Sequence, residues 1–129
     1  MARSVDRKKA TGYITKAQNS LRISKIAIKE AAYDAAVMNA VHSAINSLDA
    51  LTTYFVGKRA SGAHTEVLSL IKGILIQREY EEIQKQYNAL LGMKNESEYQ
   101  PDLMSVKEAE SAIKFAERIF EKVKAKLQP

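Results

Sequence analysis

The chain has 129 residues, 27% of them charged, with a formal net charge of +5, five glycines, two prolines and no cysteine. A chain of that size buries one sizeable core without metal or disulfide staples. The missing thiols exclude a disulfide framework, a thiolate metal site and a cysteine nucleophile.

The polar start Met1-Ala2-Arg3-Ser4-Val5-Asp6-Arg7-Lys8-Lys9 is followed by no apolar stretch long enough for a signal peptide or a membrane span. A single soluble, cytoplasmic domain over residues 1–129 is therefore expected. The basic excess is densest at Arg7-Lys8-Lys9 and at Lys122, Lys124 and Lys126. It permits an anionic partner, nucleic acid included, although charge runs more often solvate helix ends.

Good helix formers dominate, and few residues interrupt them. A first helix is expected from about Asp6 to about Ile28. Ala10, Ile14, Ala17, Leu21 and Ile28 recur there at helical spacing, and Ile23 and Ile26 broaden the stripe. The chain then turns near Glu30 with no Gly or Pro to mark the place. The second helix has the clearest pattern: Val37, Val41, Ala44, Leu48, Leu51 and Phe55 alternate steps of four and three. Gly57 stands where a left-handed C-terminal cap belongs.

After the basic loop Lys58-Arg59-Ala60-Ser61-Gly62-Ala63-His64, a third helix begins near Thr65, with Ser61 or Thr65 as candidate cap. Val67, Leu68, Ile71, Ile74 and Leu75 are its apolar side, and Gly73 ends or bends it. A fourth helix turns Tyr80, Ile83, Tyr87, Leu90 and Leu91 inward and stops near Gly92. Met93 to Asp102 reads as a loop, with Gln100 held extended by Pro101. Ser105-Val106-Lys107-Glu108 is a capping box for the last helix, whose buried stripe is Ala109, Ala112, Ile113, Ala116, Ile119, Phe120, Val123 and Leu127. Nothing reads as a sheet. The fold class is all-α, an up-and-down bundle of four to five helices. Val41, Leu48, Leu51, Phe55, Ile113, Ala116 and Phe120 are expected to share one core.

Three segments taken in order resemble the HEPN domain, in particular its minimal prokaryotic form. Ala31-Ala32-Tyr33-Asp34-Ala35-Ala36 is similar to the family's turn and Tyr-x-Ala at the head of the second helix. Ala63-His64-Thr65-Glu66-Val67-Leu68 resembles its His-containing start of the third helix. Leu90 to Asp102, followed by Lys107-Glu108-Ala109-Glu110-Ser111-Ala112, resembles its closing segment, commonly an Arg-Asn loop, a Tyr or His, and an acidic, alanine-bearing helix. The resemblance implies a helical bundle tied to nucleotide and RNA chemistry. It also implies a homodimer and, often, a small nucleotidyltransferase encoded alongside, as in toxin–antitoxin pairs.

Active members of the family are marked by an Arg, four to six residues, then a His, and cleave RNA without metal. A His near neutrality can move a 2′-hydroxyl proton, and a guanidinium fork can hold the phosphate. At the expected place this chain has Lys94 and Tyr99, with Asn95 matching the family's Asn. Lys94 lacks the fork, and a tyrosine is a poor base at neutral pH. A second pair, Arg59 and His64, has the right types and spacing, but follows the second helix instead of preceding the last. For either, the bland reading is a packed loop or a helix start.

The second helix also carries a polar stripe, Asn39, His42, Asn46, Asp49 and Thr53, readable as a solvated face, a dimer seam or a cleft wall. No phosphate-binding glycine loop and no metal-ligand spacing occurs, so neither cofactor nor metal is expected. The expected function is a catalytically degenerate HEPN-like module acting through dimerisation and a nucleotidyltransferase-type partner, or by binding nucleotide or RNA. Lys94, Asn95, Tyr99 and His42 are the candidate binding residues. The alternative is a metal-independent RNA endonuclease using Arg59 and His64, or the degenerate Lys94 and Tyr99.

Overall fold

The computed structural model describes residues 2–128. In order, the chain forms a short strand β1 (Ala2–Ser4), a 3-10 turn (Arg7–Lys9), α1 (Ala10–Lys29) and α2 (Tyr33–Val56). It continues through strand β2 (Lys58–Ala60), α3 (Glu66–Ile71), α4 (Gln77–Tyr99) and α5 (Val106–Leu127). It is an all-helical bundle built around α2, which packs against α1, α3, α4 and α5. Among the described residues no helix is long and apolar enough to cross a membrane.

The close approach of α1 and α2 follows from small side chains. Ala17 and Ser24 on α1 and Ala36, Ala40, Ser43 and Ala44 on α2 are all fully buried. Two of these serines stitch the helices together: Ser24 Oγ donates to Ala36 O at 2.6 Å, and Ser43 Oγ donates to Ala17 O at 2.8 Å. Each hydroxyl is satisfied by a backbone carbonyl, so burying it carries no unpaired polar group. The reversal between the helices places Ala31 at φ 60, a conformation that an alanine rarely adopts.

The expected core holds at Val41, Leu48, Leu51, Ala116 and Phe120, all buried, with Ile113 packed against them. Phe55 is a correction. It lies in the last turn of α2, 38% exposed, edge-on to Tyr54. Ile23 and Ile26, expected to widen the α1 stripe, point outward at 44% and 49% exposure.

The capping box is formed, with Ser105 Oγ accepting from Glu108 N and Glu108 Oε1 accepting from Ser105 N. Gly57 closes α2 in the left-handed region, φ 64. Asp34 takes an unforeseen part: its carboxylate accepts from Met104 N at 3.0 Å, tying the lead-in of α5 to the head of α2.

Three further expectations fail. Asp6 caps the 3-10 turn, accepting from Lys8 N, and α1 itself starts at Ala10. Thr65 stands at the N-cap of α3 but makes no side-chain cap hydrogen bond, while α3 ends at Ile71 and Gly73 falls in the turn that follows, as expected. Gly92 does not stop the fourth helix: Met93 to Tyr99, expected as a loop, continues α4. The strands were not foreseen either. β1 and β2 pair antiparallel, with Ala2 opposite Ala60, Arg3 opposite Arg59 and Ser4 opposite Lys58.

Candidate functional site

The polar stripe of α2 sinks into the molecule as it runs toward Gly57. His42 is exposed, Asn39 and Asn46 are half-buried, Asp49 is 9% exposed, and Thr53 is buried. Asn46 and Asp49 form one wall of a cavity of about 370 Å³. The opposite side is Arg59 and the backbone from Ala60 to His64, with Tyr87 of α4 completing the enclosure. That volume lies at the small end of the range for small-molecule sites. A larger groove of about 580 Å³ runs between α1 and α5, but its Lys25 and Glu117 pair with each other. The chemistry gathers in the smaller cavity.

Arg59 reaches this place because β2 pairs with β1, and its guanidinium is steadied by Tyr13 of α1, Nη1 donating to the phenol oxygen at 3.2 Å. That hydrogen bond, and secondarily Asp49, hold the Arg59 charge more firmly than usual. Arg3 stands directly across the ribbon, so both guanidinium groups leave the same face. An anion held on that face would meet positive charge from both strands.

Burial pushes the Asp49 carboxyl up to about 6, only partly countered by the positive charge of Arg59. Its carboxylate receives no hydrogen bond from another described residue. Its oxygens are not among the fully buried side-chain atoms that lack a partner, so a donor can reach them from the cavity. Burial also drives the Tyr87 phenol far up, with Asp49 adding to the effect, so it stays protonated and donates to His64 O at 3.1 Å. That bond fixes the backbone at the cavity mouth.

The His64 imidazole is lowered below its ordinary value, first by burial, then by Lys94 and His42, with Glu98 opposing. It is therefore mainly neutral at pH 7. No described residue hydrogen-bonds its ring.

The candidate residues thus fall into two groups. Arg59 and His64 line the same cavity. Lys94 and His42 lie near enough to His64 to act on its charge. Lys94 Nζ pairs with Glu98 at 3.0 Å, one turn along α4. Tyr99 is not brought in. Lys94 and Tyr99 sit five residues apart on a continuous helix, on different faces, and Tyr99 is 76% exposed. Asn95 is also exposed. The loop on which Lys94, Asn95 and Tyr99 were expected to converge is helical, and the helix separates them.

Arg3, Tyr13, Asp49 and Tyr87 complete the arrangement. Tyr87 reads in the sequence as core, and Asp49 as one member of a stripe. The signal available was that Asp49 falls four residues after Ile45 and three before Thr52, at the border between the polar stripe and the apolar face of α2. Among the described residues no group of three His, Asp or Glu converges to hold a metal ion.

A search of curated protein sequences finds no match. Among solved structures, the crystal structure of TT1696 from Thermus thermophilus is similar in fold, with a TM-score of 0.75 at 18% identity, over 92% of this chain and 98% of that one. At that identity the likeness speaks for the bundle alone. The family model described as HEPN domain matches residues 10–126, from the first residue of α1 to the penultimate residue of α5. The chain belongs to the HEPN domain family.

Proposed function

We propose that this HEPN module binds a phosphate-bearing nucleotide or RNA at the Arg59–His64 cavity and cleaves RNA poorly or not at all. The observation that carries the reading is the meeting of Arg59 and His64 on one polar cavity, with Arg3 facing Arg59 across the strand pair. A guanidinium pair is suited to grip a phosphate from two sides. Weak catalysis follows from His64. A general base works best when a partner orients its ring, and this imidazole has none among the described residues.

The same proposal includes a homodimer and a small nucleotidyltransferase-type partner, as the family resemblance implies. The alternative, a metal-independent endonuclease of a toxin–antitoxin pair, draws on the neutral His64 beside Arg59.

The test is a mixed RNA substrate and a panel of nucleoside monophosphates, in chelator, with wild type, Arg59→Ala, His64→Ala and Tyr99→Phe. Binding should weaken about tenfold or more in Arg59→Ala and stay unchanged in Tyr99→Phe, with little cleavage by any form. Robust wild-type cleavage that His64→Ala abolishes would overturn the degenerate reading in favour of the nuclease. Binding indifferent to Arg59 would remove the cavity as the site.

A further inference from the structure

The inner end of the cavity holds a feature that phosphate binding leaves unused. Asp49 is only 9% exposed, lines the cavity, and has no hydrogen-bond donor among the described residues. Arg59, whose charge acts on it, donates through Nη1 to Tyr13 and makes no hydrogen bond to the carboxylate. One turn earlier on the same wall, Asn46 Nδ2 donates to His42 O at 2.9 Å, which uses one of its two amide hydrogens. The wall therefore offers an acceptor-only group with two oxygens, beside a donor with a hydrogen to spare.

Resting on the reading of the cavity as a nucleotide or RNA site, we infer that its inner wall selects guanine, with Asp49 accepting from the N1–H and the exocyclic N2 amino group. The choice follows from donor and acceptor order. An ionised carboxylate only accepts, and is best met by two adjacent donors. Guanine alone among the common bases presents two neighbouring donors on its pairing edge. Adenine and cytosine set one amino group beside an unprotonated ring nitrogen, whose lone pair opposes a carboxylate. Uracil sets one N–H between two carbonyl oxygens. The spare hydrogen of Asn46 is placed to serve the O6 acceptor that flanks guanine's donors. The sugar phosphate then points toward the mouth, where Arg59 and His64 lie.

Calorimetric titration of the full chain with GMP, IMP, XMP and AMP tests this, alongside short oligoribonucleotides that carry a single guanosine or a single inosine. The second pair reports the same base within RNA. GMP, or the guanosine oligonucleotide, should bind about tenfold or more tighter than its inosine counterpart, which lacks only the N2 amino group. Asp49→Asn should erase that preference and improve XMP, because its amide donates where the carboxylate accepted. Asp49→Glu, which retains the acceptor on a longer arm, should keep guanine ahead of inosine.

Equal affinity for all bases, still lost in Arg59→Ala, would overturn guanine selection and leave the phosphate site standing. An Asp49→Asn variant that binds GMP as wild type does would overturn it equally. Binding of none of these nucleotides or oligonucleotides would remove both readings.

Discussion

A carboxyl group that titrates near 6 in the folded chain and near 3.9 in an unfolded one binds more protons when folded throughout that interval. For Asp49 the sign is therefore the reverse of a salt-bridged carboxylate. Its raised value favours the folded state below pH about 4, and that contribution is lost as pH rises to about 6. The full difference is about 3 kcal/mol. The first expected outcome is that Asp49→Asn is more stable than wild type at pH 7 by roughly 1–3 kcal/mol, while the gap closes toward pH 4. Urea titrations at both pH values check it, and equal stability at pH 7 would contradict the burial argument. Gly57 gives a prediction of opposite sign. Its φ of 64 suits glycine, and an added Cβ would meet Arg7 Nε at 3.4 Å. Gly57→Ala should cost about 1 kcal/mol in the same assay.

At the level of elements, a third prediction concerns the start of α5. Ser105 and Glu108 exchange two hydrogen bonds there, and Ser105→Ala should destabilise by about 1 kcal/mol. Thermal melts against Leu48→Ala, expected to lose about 2–5 kcal/mol from the buried face of α2, set the scale.

These two features were legible in the sequence because their signals are local: a capping box four residues long and an apolar stripe at helical spacing. The extension of α4 was not. Gly92, Asn95 and Ser97 each weaken a helix by no more than about 1 kcal/mol, and the Lys94–Glu98 pair and the packing of Leu90 and Leu91 outweigh them. Nor does any local pattern announce β1. Its three residues become a strand only because Lys58–Ala60 arrives beside them. The candidate site was half legible for the same reason. The spacing of Arg59 and His64 is written in the chain, whereas the contributions of Arg3, Tyr13 and Tyr87 depend on which distant segments meet.

For the molecule as a whole, a homodimer is the expected assembly. Sedimentation at micromolar concentration should give about twice the 14.4 kDa chain mass, and a monomer throughout that range would count against it. Binding of RNA should weaken steeply with added salt if Arg3, Arg59 and Lys94 meet phosphates. The strand pair has a kinetic consequence as well. The α1–α2 hairpin closes through neighbours along the chain, but Arg59 is steadied by Tyr13, 46 residues away, and by a strand that begins at Ala2. Loops of that span are slow to close and offer little until both ends are seated. The bundle can therefore form before the cavity has its full complement of residues, and the ribbon can fray while the helices stay intact. Amide hydrogens of Lys58 to Ala60 should exchange much faster than those of Val41 to Leu51, and a nucleotide that occupies the cavity should slow the former alone. An occupant would then act as the last piece of the fold, turning a frayed edge of the chain into a closed one.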